Sequence, residues 1–272
     1  MLALCAAVSF GVSDVTGALA ARRASAVTVT LIAQLAGLVV LLPALLVLPG
    51  ELSLRALAIG ALAGLGGCAG LIVYLRGMAI GPMGVVSPLA ALVGAAVPVG
   101  WGVVVNAERV TALDVMGILA GLVAVVLVAL RPRQLTDVHA GGTLLALLSG
   151  AAFGGFFVAL DATPPDSGLW PLLGARLSGA LLLVVVLRFA PRRMPDRRTA
   201  PLVIACGLTD MGANVLFLLA TRTGALSLTA LLTSLYPVAV VLLARRLTDE
   251  RLTVLQASGV VLALCASALI VL

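Results

Sequence analysis

The stretch AQLAGLVVLLPALLVLP at residues 33–49 returns as ARLSGALLLVVVLRFAP at residues 175–191. Both copies are apolar almost from end to end, and neither carries the polar face that a helix on a water-exposed surface needs. A run of about 20 such residues spans a hydrocarbon core about 30 Å thick. The match keeps its register: Leu35 falls on Leu177, Gly37 on Gly179 and Pro49 on Pro191. The shift of 142 or 143 positions holds in both directions. Phe10-Gly11 falls on Phe153-Gly154, Gly64 on Gly207, Gly81 on Gly224 and Gly117 on Gly259. NAERVT at 106–111 aligns with TDERLT at 248–253. One near-constant offset along the whole length makes the chain a tandem repeat.

Composition says what solvent surrounds that repeat. Hydrophobic residues make up 62% and charged residues 10% of the chain, and the mean hydropathy is +1.24. Soluble domains carry about 25% charged residues. So few charges cannot cover a surface in water, so lipid is the main solvent. Gly at 29 residues suits close helix packing in a membrane. The net charge is +6, all of its cationic side chains are arginines, and they sit at the ends of apolar runs. They read as topology signals and head-group contacts rather than a nucleic-acid surface. Cys5, Cys68, Cys206 and Cys265 lie within apolar runs without a CxxC, and His139 is the single histidine. Structural zinc, a disulfide framework and any resident cofactor are therefore not expected, and the cysteines read as small buried hydrophobes.

Ten apolar runs emerge, at 2–20, 28–48, 56–78, 83–104, 112–130, 141–160, 169–190, 200–220, 225–243 and 253–272. Polar breaks such as Arg22-Arg23, Pro49-Gly50-Glu51 and Arg131-Pro132-Arg133 separate them. The first run has no charged leader segment and has a mate in the sixth, so it is expected to be retained rather than cleaved. The expected fold is an all-α integral membrane bundle of ten helices in two five-helix repeats, 1–133 and 134–272. Five is odd, so the second repeat enters the membrane from the opposite side. That inverted arrangement is common in secondary transporters, with the substrate site near the midplane between repeats.

The paired segments Glu108-Arg109-Val110-Thr111 and Glu250-Arg251-Leu252-Thr253, each followed by a Gly-containing apolar span, carry a family likeness. So does Ser234-Leu235-Tyr236-Pro237, entering the ninth span. With them the chain resembles the paired EamA domains of the drug/metabolite transporter superfamily, over essentially its whole length. The first repeat departs from the pattern, with Leu92-Val93-Gly94 where the second has Leu235-Tyr236-Pro237. The resemblance implies a ten-helix bundle in the cell membrane, alternating access, and export of amino acids or other small metabolites. It implies little about the substrate itself.

Ionisable side chains inside spans point to function, because each costs at least about 2.5–3.5 kcal/mol at the bilayer centre. Asp210 lies midway along the eighth span, with Asn214 one turn on and Phe217 and Thr221 on the same face. It reads either as a cavity-facing acid for a cation or proton, or as a clamp between helices. Asp14 in the first span is read as lining the cavity or as snorkelling. Gln34 and Arg176 are repeat mates, and Arg176 is expected either to pair with an acid or to hold a substrate carboxylate. Tyr74, Thr233 and Tyr236 offer hydroxyls on matched helices. Pro88, Pro98 and Pro237 interrupt the fourth and ninth spans and are hinge candidates. Glu108-Arg109 and Glu250-Arg251 read as caps at the starts of the fifth and tenth spans. Those two spans are expected to pack peripherally.

The function expected is a secondary transporter of a small amphipathic molecule, not an enzyme. An intramembrane hydrolase would need a nucleophile with its base, or a metal cluster. A flippase for a lipid-linked head group stands as the alternative. Arginines 22, 23, 76, 131, 133, 188, 192, 193, 197, 198, 245, 246 and 251 share one side of the ten-span topology, whereas 55, 109 and 222 lie on the other. The positive-inside rule puts the first side in the cytoplasm and both termini outside. Eukaryotic members of the resembled family usually have cytosolic termini, so the two lines disagree.

Overall fold

The apolar runs fold as α-helices, because a backbone in lipid must satisfy its own hydrogen bonds. A computed structural model of the chain describes residues 1–80, 83–129, 140–190, 193–248 and 253–271. In order the helices are α1 Leu2–Ala21, α2 Ala26–Val47, α3 Leu54–Ile80, α4 Met83–Val104, α5 Ala112–Ala129 and α6 Ala140–Asp161. A short 3-10 turn follows, then α7 Trp170–Val186, α8 Ala200–Thr223, α9 Leu226–Ser234, α10 Tyr236–Thr248 and α11 Val254–Val271. There is no strand among the described residues. Seven helical stretches are long and apolar enough to cross a membrane, and three shorter helices are also apolar. The chain is a multi-pass membrane protein. Large apolar side chains cover its outer faces, such as Val39, Leu46, Leu62 and Val123.

The ninth run is two helices rather than one. The chain leaves helical geometry at Leu235, and α10 restarts with Pro237 as its second residue. Proline suits that place because the N–H it lacks has no helical partner there. Pro88 and Pro98 do not break α4, and Pro43 lies inside α2. Membrane helices accommodate such prolines when neighbours satisfy the freed carbonyls. Of the three expected interruptions, only the one at Pro237 ends a helix. The boundary between repeats at 133/134, together with His139, Glu250 and Arg251, lies outside the described residues.

The chain forms two compact units, Met1–Cys68 with Ala159–Arg222, and Ala69–Val158 with Thr223–Leu272. Each draws on both halves of the sequence. In the first unit, backbones approach where glycine leaves room. A Cβ on Gly207 of α8 would collide with the Ala33 carbonyl of α2, and one on Gly64 of α3 with the Ala175 carbonyl of α7. A Cβ on Gly37 would meet the Gly207 carbonyl at 3.2 Å, and one on Gly179 the Gly64 carbonyl at 3.7 Å. Replacing every residue by its repeat mate turns each contact into its counterpart. The connections behave alike. Ser25 N–H donates to the Arg193 carbonyl at 3.0 Å, and Glu51 N–H to the Asp166 carbonyl at 2.8 Å. Gly50 passes so close to Gly168 that a Cβ there would lie 2.7 Å from the Gly168 Cα. Gly168 has φ +52°, which glycine adopts without strain.

Caps fix the ends. Ser25 Oγ accepts from Thr28 N–H at 3.2 Å to start α2. Asp196 accepts from Thr199 N–H at 2.7 Å just ahead of α8. The Thr199 side chain and N–H facing that carboxyl hold it below the usual carboxylate range, and the charge of Arg23 adds to this. Arg222, expected in the connection between the eighth and ninth spans, is instead within the last turn of α8. It donates to the Thr163 carbonyl at 2.8 Å, Thr163 Oγ1 at 2.6 Å, and the Asp161 and Pro164 carbonyls at 3.4 and 3.3 Å. An arginine there satisfies the orphan carbonyls at the end of α6 and complements its dipole.

In the second unit α5 packs along α11 with the same exchange. A Cβ on Gly117 would meet Ile270, and one on Gly259 would meet Val128, with each pair of mates 142 apart. Both helices open with reciprocal capping boxes. Thr111 N–H donates to Asp114 Oδ2 at 2.7 Å, and Asp114 N–H to Thr111 Oγ1 at 3.2 Å. Thr253 and Gln256 make the same pair at 3.1 and 3.2 Å. Glu108 therefore does not cap α5. Its two carboxylate oxygens accept from Leu226 and Ser227 N–H at 2.7 and 3.0 Å, so it caps α9. The threonine three residues on already fills the place that was assigned to Glu108.

Candidate functional site

The polar side chains of the first unit gather on α2, α7 and α8. Arg176 lies near the middle of α7 and is only 8% exposed. One of its terminal nitrogens donates to Gln34 Oε1 at 2.6 Å. The other forms an ion pair with Asp210. Gln34 Nε2 in turn approaches Cys68 Sγ at 3.4 Å. Asn214 Nδ2 donates to the Asp210 carbonyl at 2.8 Å and lies 3.5 Å from Asp210 Oδ2. The Asn214 Oδ1 atom is buried without a hydrogen-bond partner.

Small residues make room for this cluster. A Cβ on Gly37 would lie 3.5 Å from the Arg176 guanidinium carbon, and one on Gly179 would lie 3.1 Å from Gln34 Nε2. The glycine of each repeat thus faces the long polar side chain of the other. Gln34 with Cys68, and Arg176 with Asp210, are separated by 34 residues in both cases. One structural slot holds a neutral pair in the first repeat and a charged pair in the second. Breaking the charged pair from one side would leave an uncompensated ion in a low-dielectric setting.

Asp14 on α1 approaches the same region. Ser13 Oγ donates to the Cys206 carbonyl at 3.0 Å, and Gly17 faces Cys206 Sγ, which joins α1 to α8 one turn before Asp210. Asp14 itself is exposed. Among the described residues it has no hydrogen bond or ion pair.

The structure thus brings Gln34, Arg176, Asp210 and Asn214 together, with Asp14 on the helix that meets α8 at Ser13 and Gly17. Tyr74, Thr233 and Tyr236 belong to the second unit. There the Tyr74 ring sits edge-on to Phe153 at 6.2 Å, and Thr233 is buried. Cys68 and Cys206 are inward-facing as expected, but Cys5 and Cys265 are exposed. Cysteine is apolar enough to face lipid, so a position in an apolar run did not imply burial. Sequence reasoning passed over Gly37 and Gly179 as parts of the site. Their signal was present, since both are repeat mates flanking Gln34 and Arg176. Among the described residues no three His, Cys, Asp or Glu side chains gather to hold a metal.

Comparison with known proteins matches this architecture. A solved crystal structure, described only as a protein, superposes with a TM-score of 0.79. It covers 97% of this chain and 95% of its own at 19% identity, which is a likeness of fold alone. No curated protein matches the sequence. The model of the EamA-like transporter family matches residues 1–130 and again 140–272. Two copies of that match account for nearly the whole sequence, and the chain belongs to the EamA-like transporter family, within the drug/metabolite transporter superfamily.

Proposed function

We propose that the chain is an alternating-access secondary transporter that exports small amphipathic metabolites such as amino acids. Its two five-helix halves are inverted repeats, and the cluster around Arg176 is the polar wall of its substrate site. The observation that carries the reading is the Gln34–Arg176–Asp210 chain of contacts, bridging spanning helices at repeat-related positions. A guanidinium, a carboxylate and two amides inside a membrane are costly unless used, and they suit a zwitterion beside apolar walls. Support for the inversion comes from the reciprocal contacts. Gly207 on Ala33 and Gly64 on Ala175 exchange under the repeat, as do Gly117 on Ile270 and Gly259 on Val128. A two-fold relation between halves produces such exchanges, and an odd number of spans per half turns it into inversion across the membrane.

The test is a metabolite-resolved counterflow assay with purified protein in liposomes. Loaded amino acids should exchange through the wild type, and Asp210→Asn should slow them while the protein stays folded. Asparagine keeps the shape and removes the charge. Scrambling of labelled lipid without solute flux would overturn the reading in favour of a flippase. Undiminished flux through Asp210→Asn would remove Asp210 from the site.

A further inference from the structure

The Arg176–Asp210 pair is covered unevenly, which bears on the end of a ligand it can meet. Arg176 is the enclosed partner, with its side chain 9% exposed, whereas that of Asp210 is 32% exposed. The guanidinium directs one terminal nitrogen to Gln34 Oε1 and the other to Asp210 Oδ2. Gly37 of α2 stands against its central carbon. On the carboxylate, every contact among the described residues falls on Oδ2, which takes the ion pair and has Asn214 Nδ2 at 3.5 Å. The Oδ1 atom is left over. In the first repeat the matching slot is closed, because Cys68 takes the place of Asp210 and is buried. Packing of the slot therefore does not require an uncovered side chain there.

A carboxylate midway along a spanning helix is costly against hydrocarbon, so its uncovered edge belongs to a water-filled space inside the protein. The ion pair is then a dipole with its negative end open and its positive end covered. A group that meets it there must donate hydrogen bonds. A cation gains more than a neutral donor, because charge-assisted hydrogen bonds are roughly twice as strong as neutral ones. A ligand carboxylate has the opposite problem, since it must displace Asp210 from Arg176 and then sit beside it. We infer that Asp210 Oδ1 is the ammonium subsite of the transporter, taking a primary amine or the amino end of an amino acid, while Arg176 is occupied by Asp210 and does not take the ligand's carboxylate. This rests on the transporter reading and assigns one ligand group to one atom of that site.

Three probes with one branched tail separate the charges: isoamylammonium, isoamyl alcohol and isocaproate. Their binding to the full chain in lipid nanodiscs is measured by titration calorimetry, with empty nanodiscs as the reference. Wild type should bind isoamylammonium about tenfold or more tighter than the other two, the scale of one hydrogen bond to a charged group. Asp210→Asn should erase that preference, and because it frees Arg176, isocaproate should gain affinity. The unpaired guanidinium threatens the fold of that variant, so Arg176→Gln combined with Asp210→Asn is measured beside it. The slot is then neutral, as in the first repeat, and the ammonium preference should vanish without a gain for isocaproate. Thermal unfolding in the same nanodiscs reports which variants are folded. A wild type that binds isocaproate or the alcohol as tightly as the ammonium overturns the inference without any variant. So does a wild type that binds no isoamylammonium at millimolar concentration, or a folded variant lacking Asp210 that keeps the preference. The liposome flux assay separates the two claims. Amino-acid flux without an ammonium preference sinks the subsite alone, whereas Asp210-dependent ammonium binding without flux sinks transport alone.

Discussion

Gly207→Ala adds one methyl group where the backbone of α8 touches that of α2. Two terms oppose each other. Alanine in place of glycine favours a helix by roughly 0.5–1 kcal/mol. Overpacking costs roughly 1–3 kcal/mol, and here the obstacle is the Ala33 carbonyl, which cannot rotate aside as a side chain would. The net expectation is a loss of about 1–2 kcal/mol. At roughly 2–4 °C per kcal/mol for a chain of this size, the apparent melting temperature should fall by roughly 2–8 °C. Gly212 on the same helix is the internal control, because a Cβ there meets nothing within 4 Å. Gly212→Ala keeps only the favourable term and should leave the melting temperature unchanged or raised. The repeat supplies a second pair on α3: Gly64→Ala should behave like Gly207→Ala, and Gly66→Ala, which also faces open space, like Gly212→Ala. Thermal unfolding of the four variants, purified in one detergent, decides. Equal stability of Gly207→Ala and Gly212→Ala would refute the close approach of α2 to α8.

Arg176→Gln should destabilise the protein towards the lower end of the roughly 3–5 kcal/mol seen when a buried pair loses one partner, because Asp210 is 32% exposed. Adding Asp210→Asn should recover part of that loss in the same unfolding assay. Glu108→Gln should weaken the start of α9, not of α5, and hydrogen exchange should quicken at Leu226 and Ser227 while Thr111 to Asp114 keep their protection. Asp196 has a folded pKa below its unfolded value, so its cap contributes above the unfolded pKa and is lost as pH falls through the folded one. Proteolysis around residues 193–199 should therefore quicken only below about pH 4, and Asp196→Asn should remove that step. The arginine bias predicts a cytoplasmic Arg193, so a cysteine placed there should resist an impermeant thiol reagent applied to intact cells, and ready labelling would reverse the assigned orientation.

Most of the helical frame was legible because membrane helices are written in local terms. An apolar run of spanning length, closed by arginine or by Pro-Gly, gave α1 to α8 to within a few residues. What local reading missed depends on partners distant in sequence. Glu108 sits beside the helix it was expected to cap, yet its oxygens reach α9, because Thr111 and Asp114 already satisfy α5. Arg222 looked like a loop residue because the polar break after it is plain, whereas its partners at Thr163 and Pro164 lie 59 and 58 residues away. Cys5 and Cys265 looked buried because in lipid hydropathy no longer separates inside from outside.

The repeat changes how far such reading can go. A shift in sequence becomes an exchange of partners in space, so one contact implies another. The slot that pairs Gln34 with Cys68 is the one that pairs Arg176 with Asp210, and a glycine from the opposite repeat keeps each slot open. The frame of the two copies has stayed alike while the chemistry in the slot has diverged from neutral to charged. Within this slot the charged pair stands in the second copy only, while in the first copy Asp14 has the apolar Phe157 as its repeat mate. On the proposed inverted arrangement, a charge in one copy alone would give a bound molecule a preferred orientation.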